Sequence, residues 1–208
     1  YDFLVKGDLT VEGLERSIRY ALASHNREQN LSKVAYFDPL TGLPNRVFFL
    51  RRLTQLVSDN RAAGGMVGVS LINLDGTKRV NTRFGHDVGD EIIRTAAARL
   101  DAARLGDHFL ARIGGDEFAL VMDDVLLTTH ALSTTQTLAD AITGELRVGE
   151  DVHVITATCG VAVRQIRKDD DAVGTAHDIL LNATHAMFDA KMAGRRRHTS
   201  NVALARVH

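Results

Sequence analysis

Asp116 and Glu117 stand side by side after Gly114 and Gly115 in the stretch ARIGGDEFAL, residues 111–120, between two short apolar runs. Adjacent carboxylates at a turn offer oxygen ligands to a hard divalent cation such as Mg2+. Such a cation takes one or two protein carboxylates and shares its other positions with substrate phosphates. The glycines would permit a tight turn with positive backbone angles and let a phosphate or base come close. Gly-Gly turns with exposed acids are also ordinary surface features, so the hairpin gains meaning from what stands near it.

Two further groups supply complementary chemistry. The basic cluster Lys191-Met-Ala-Gly-Arg195-Arg-Arg197 closes a helical pattern, where cations suit the helix dipole. Folded over the same sheet edge, Lys191 and Arg195 could neutralise a triphosphate. In the polar stretch DGTKRVNTRFGHDVGD, residues 75–90, Asn81 could pair with a guanine acceptor and donor, and Asp90 could accept from the guanine N1–H and N2–H. Helix capping and solvation account for the same residues equally well on spacing alone.

The elements that must position these groups follow from hydrophobic period. Val67 to Leu74 reads as a strand, residues 75–89 as a polar loop, and Asp90 to about Ala103 as a helix with Ile92, Ile93, Ala96, Ala97 and Leu100 inward. Phe109 to Ile113 and Phe118 to Met122 form a hairpin around GGDE. A helix near His130 to Thr143, a long strand near Val152 to Val163, a helix near His177 to Ala193 and an apolar run from Val202 to Val207 complete the order. Upstream, Asn45 to about Asp59 is helical, with Phe49, Leu53 and Leu56 on one face. The order β-α-β-β-α-β predicts an α/β (α+β) fold with a ferredoxin-like or polymerase-palm-like sheet flanked by helices. That topology brings Asn73 and Asp75 towards Asp116 and Glu117.

The N-terminal 35 residues read differently: a short strand at YDFLVKG, then a helix capped by Thr10 that runs from Val11 to about Ala35. They are expected to be an extension carried by a main domain over 36–208. Across the 208 residues a formal charge of -1 and the lack of a long Lys/Arg block argue against a sequence-independent grip on nucleic acid or an anionic membrane. No stretch reaches the apolar length of a membrane span, the start has no basic signal region, and the single cysteine, Cys159, cannot close an intrachain disulfide. A cytoplasmic setting is the expectation. The nine histidines show no metal-ligand spacing.

DPLTGLPNR (Asp38 to Arg46), NLDGTKRVNTRFGHDVGDE (Asn73 to Glu91), RIGGDEF (Arg112 to Phe118) and AKMAGR (Ala190 to Arg195) together resemble the successive signatures of GGDEF-domain diguanylate cyclases. The leading segment is similar to the last strand and helix of a response-regulator receiver domain, with Lys6 at that family's lysine position. The resemblance implies condensation of two GTP into cyclic di-GMP and pyrophosphate by a homodimer using Mg2+ or Mn2+. It also implies control by a histidine kinase acting on a receiver. Carried over by position, Asp116 ligates metal, helped by Asn73 and the Leu74 carbonyl, and Glu117 acts near the attacking 3'-OH. Asn81 and Asp90 read guanine; Lys78, Lys191 and Arg195 hold phosphates with the backbone of Gly76 and Thr77; and Gly114 and Gly115 clear room for GTP. Arg104 and Asp107 resemble the family's R-x-x-D site for inhibitory product, with Asp107 one residue farther from Arg112 than usual and His108 in the normal register.

The sequence departs from the family at Asn73, where an Asp metal ligand is usual. An amide oxygen can coordinate Mg2+, but without the carboxylate's charge binding weakens. Thr77 and Thr82 replace a Phe and an Asp. Asp75 could compensate for Asn73, although strand alternation is expected to separate them. The rival outcome is a degenerate GGDEF module that binds GTP or cyclic di-GMP and regulates without catalysis.

Overall fold

The structure, a computed structural model, describes residues 35–104, 106–123, 125, 127–149, 151–194 and 201–205. The expected receiver-like strand, the helix from Val11 except for its last residue, and Arg195 lie outside the described residues.

Helix α1 (Arg46–Ala63) starts at Asn45, whose Oδ1 accepts from the backbone N–H groups of Val47 and Phe48 at 3.0 and 3.1 Å. It stops at Gly64, whose φ of 70° suits a residue without Cβ. Strand β1 (Met66–Asp75) follows, and eight of its ten residues are buried, as the central strand of a covered sheet requires. The chain then forms helices α2 (Thr77–Phe84) and α3 (His86–Ala103), the hairpin β2 (Phe109–Arg112) and β3 (Glu117–Met122), and helix α4 (Thr128–Ile142). A second hairpin, β4 (Gly144–Val148) and β5 (Asp151–Gln165), leads to helix α5 (Ala172–Gly194) and the short strand β6 (Asn201–Leu204).

The sheet order is β2-β3-β1-β5-β4, antiparallel throughout, while β6 pairs in parallel with a later stretch of β5 than β4 does. The mixed sheet flanked by helices has the palm-like arrangement expected from the sequence. Side-chain alternation divides its core in two. Ile72, Leu74, Phe118, Leu120, Cys159 and Val161 pack with Ile92, Leu100 and Leu138 of α3 and α4. Val69, Leu71, Ala119, Val121 and Ala162 pack on the opposite face with Phe49, Leu53, Ile179 and Ala183 of α1 and α5.

Several expectations need correction. Residues 75–89 are not a loop: Gly76, at φ 84°, turns β1 directly into α2, and Gly85, at φ 90°, separates α2 from α3. Only Thr77 and Val80 of α2 are buried, so this helix lacks the apolar stripe that reveals helices in sequence. Strand β4 is not anticipated by the sequence pattern, because it has a single buried residue, Leu146. Helix α5 begins at Ala172 rather than near His177, because Asp171 Oδ2 accepts from the Gly174 N–H at 2.7 Å and caps it. No helix among the described residues is long and apolar enough to cross a membrane.

Candidate active site

The site forms where the buried pattern of β1 turns polar. Ladder register places Asn73 opposite Glu117 of β3 and Thr158 of β5, all on the face that carries α1 and α5. Asp75 lies on that face too, since residues two apart in a strand point the same way. The expected separation of Asn73 from Asp75 by alternation is therefore wrong. Hydrogen bonding distinguishes them instead: Asp75 accepts from the hydroxyls of Thr156 and Thr158 at 2.9 Å, whereas Asn73 faces the GGDE turn.

Asn73 is 5% exposed and joins two charged groups from distant parts of the chain. Its Nδ2 donates to Asp116 Oδ1 at 3.2 Å, and its Oδ1 accepts from Lys191 Nζ on α5 at 2.8 Å. Lysine only donates and carboxylate only accepts, so the amide orientation follows from its neighbours. The hydroxyl of Thr77 donates to the other Asp116 oxygen. Backbone pairing fixes the turn, with the Leu74 N–H donating to the Asp116 carbonyl at 3.0 Å and the Ile113 N–H to the Glu117 carbonyl at 2.9 Å.

Neither Gly114 nor Gly115 has a positive φ, contrary to expectation. Gly114 is crowded by Glu117, since a Cβ there would lie 2.9 Å from the mobile Glu117 Oε2 and 3.2 Å from its Cβ, while Gly115 opens onto clear space. The turn is held from behind by Arg112, whose guanidinium donates to the Gly115 carbonyl at 2.7 Å and to Asp38 at 2.8 Å. Asp38 belongs to the DPLTG motif, whose sequence gives no sign of this partner.

The two residues expected to read guanine lie on α2 and α3, which meet at Asn81 and Gly89. Asn81 packs so closely on Gly89, the neighbour of Asp90, that a Cβ at Gly89 would lie 1.7 Å from Asn81 Oδ1. That buried oxygen has no hydrogen-bond partner among the described residues, so it is an acceptor suited to a ligand donor. Lys78 is exposed on α2, and Gly76 forms its left-handed N-cap. Arg104 is held by Asp101 at 3.1 Å and by the His108 carbonyl at 2.7 Å, while Asp107 is exposed. Burial, with the positive charge of His130 and Arg104, keeps the His108 pKa below its ordinary value.

Among the described residues, no three His, Cys, Asp or Glu side chains are grouped to hold a metal ion. The Asp116 carboxylate and the Asn73 amide lie together, and the expected ligand set adds the Leu74 carbonyl. This all-oxygen set fits a hard cation that completes its shell with phosphates. The amide presently offers its NH2 side to Asp116, so Asn73 must turn to become a ligand.

This palm-like sheet with an acid-bearing hairpin agrees with likeness to known proteins. The family described as Diguanylate cyclase, GGDEF domain, matches residues 35–197. The chain belongs to this GGDEF-domain diguanylate cyclase family. It is 30% identical over 178 residues to the response regulator PleD of Caulobacter vibrioides, covering 85% of this chain and 38% of PleD. It is 31% identical over 183 residues to the diguanylate cyclase DgcP of Pseudomonas aeruginosa, covering 85% of this chain and 26% of DgcP. The chain therefore spans well under half of either relative. In fold it is similar to the coiled coil and GGDEF domain of DgcB from Caulobacter crescentus, solved in complex with cyclic di-GMP. The TM-score is 0.79 at 23% identity, over 92% of this chain and 98% of that one.

Proposed function

We propose that this chain is a diguanylate cyclase domain that condenses two GTP into cyclic di-GMP and two pyrophosphates as a homodimer. The observation that carries the proposal is the convergence of Asp116 and Lys191 on Asn73, which joins three distant sequence motifs at one sheet edge. Asn81 and Asp90 would hold the guanine. Lys78, Lys191 and Arg195, with the backbone of Gly76 and Thr77, would hold the triphosphate. Glu117 would receive the proton of the attacking 3'-OH. In each transfer a 3'-O–Pα bond forms, the bond from Pα to the bridging oxygen breaks, and pyrophosphate leaves with that electron pair. A bound Mg2+ or Mn2+ would lower the pKa of the hydroxyl and offset the phosphate charge. Each domain would supply one GTP, so a lone domain could not close the ring.

In this proposal residues 1–35 are the end of a receiver that a histidine kinase phosphorylates, residues 36–208 are the GGDEF domain, and the protein works in the cytoplasm. Arg104 and the exposed Asp107 would form an inhibitory site for cyclic di-GMP. The Asn73–Asp116 hydrogen bond specifically favours a second reading, a degenerate module that binds GTP or cyclic di-GMP without turnover. Incubating the full chain with GTP and Mg2+ or Mn2+, with product separation by chromatography, distinguishes the two. Cyclic di-GMP or its linear intermediate supports the cyclase; bound GTP without either product supports the module.

A further inference from the structure

Lys191, Asn73 and Asp116 form a continuous chain from ammonium to carboxylate. In this arrangement the amide acts as a spacer between opposite charges. Its NH2 group points at the carboxylate, where hydrogens of partial positive charge oppose an incoming cation. A half-turn of the amide would present its oxygen to the cation but would also push NH2 against the Lys191 ammonium. Both groups only donate, so that orientation is unfavourable while Lys191 stays in place. Thr77 donates to the second carboxylate oxygen, and the amide hydrogens cover the first, so the orientation of the amide governs approach to Oδ1.

We propose that Lys191 is a gate on cation binding: it locks Asn73 in the donor orientation until the phosphates of a nucleotide draw the ammonium away. This rests on the reading that the site takes GTP. Once Lys191 pairs with phosphate, Asn73 is free to rotate and offer Oδ1 beside the Leu74 carbonyl and Asp116. Nucleotide and cation then bind as a coupled pair, each raising the affinity of the other by the same factor. A carboxylate at position 73 would not need this release, because both its oxygens accept and either can face Lys191 or a cation.

Titration of Mn2+ into the nucleotide-free full chain, followed by the electron paramagnetic resonance of free Mn2+, tests the gate without catalysis. Lys191→Met should bind Mn2+ at least tenfold more tightly than the unaltered chain, and Asn73→Asp should do the same with Lys191 present. Lys168→Met removes an equal charge from an exposed position beyond β5 and should change the affinity less than twofold. In Lys191→Met/Asn73→Leu the gain should vanish, because the amide oxygen is the released ligand. Equal Mn2+ affinity in the unaltered chain and Lys191→Met overturns the proposal, as does a gain that survives Asn73→Leu. Lys191→Arg, which keeps a donor-only cation, should remain closed; an open Lys191→Arg would likewise contradict the gate. Calorimetric titration of GTP in EDTA tests the underlying nucleotide reading separately. Absence of GTP binding there and with Mg2+ overturns that reading, whereas GTP binding with an ungated Mn2+ response overturns only the gate.

Discussion

Arg112 and Asp38 form a 2.8 Å ion pair with side chains only 11% and 19% exposed, joining the segment before α1 to the GGDE turn. A second guanidinium nitrogen of Arg112 donates to the Gly115 carbonyl, and its backbone N–H donates to the Pro44 carbonyl at 2.9 Å. Asp38 also accepts from the Thr41 backbone N–H and hydroxyl at 2.9 and 2.7 Å. The pair is thus a brace between the entry of the domain and its acidic hairpin.

Breaking this brace should be costly because one partner is left in a desolvated site. Asp38→Asn is expected to lower stability by about 2 kcal/mol, measured by chemical denaturation. Burial alone would raise the Asp38 pKa, but hydrogen bonds from Arg112 and Thr41 and the Arg112 charge outweigh it and hold the carboxyl below its usual value. A depressed folded pKa contributes stability that is complete above the unfolded pKa of about 4 and is lost as pH falls through the folded pKa. Asp38→Asn should therefore flatten the loss of stability below about pH 4; an unchanged acid limb would contradict this assignment.

Gly160 lets α5 approach β5 closely enough to deliver Lys191. A Cβ at Gly160 would lie 2.2 Å from both the Ala183 carbonyl oxygen and the Met187 backbone nitrogen, neither of which can rotate away. Gly160→Ala should cost about 2 to 3 kcal/mol in a denaturation experiment, through overpacking that pushes the helix outward. It should also weaken GTP binding, although Gly160 does not belong to the site.

Gly89 has a more local role, leaving room for Asn81 in its buried position. Gly89→Ala should displace the amide and reduce affinity for a non-reactive GTP analogue about tenfold, the equivalent of one hydrogen bond. Calorimetric titration measures this directly. Unaltered affinity would remove Asn81 from the guanine contacts.

The hairpin and the central strand are legible because short apolar runs alternate around Gly-Gly, and the family is legible because four motifs recur in order. Helix α2 is not, since it buries only Thr77 and Val80 and reads as polar loop. Gly114 illustrates another limit: sequence suggests a positive backbone angle, while the structure shows none there and instead sets the Glu117 side chain close by. The relay also lies beyond sequence reasoning. Asn73, Asp116 and Lys191 can each be named, but the orientation of an amide between two charges is a property of their three-dimensional neighbours.

Arg104 has structural partners as well as a proposed ligand. Arg104→Ala should reduce the affinity for cyclic di-GMP by at least fivefold in a direct titration, while loss of its exposed pairing with Asp101 should cost less than about 1 kcal/mol. An affinity equal to that of the unaltered chain would remove Arg104 and Asp107 from product binding.

In the proposed function, the cyclase site carries an amide at Asn73, where the resemblance to its family leads one to expect a carboxylate. The decisive measurement is steady-state formation of cyclic di-GMP, compared between the full chain and Asn73→Asp across a Mn2+ titration. Both proteins should form product, with Asn73→Asp at least tenfold faster at low Mn2+ and saturating at lower metal. An unchanged rate and metal dependence would contradict the assignment of Asn73, and no product from either protein despite bound GTP would contradict the cyclase itself.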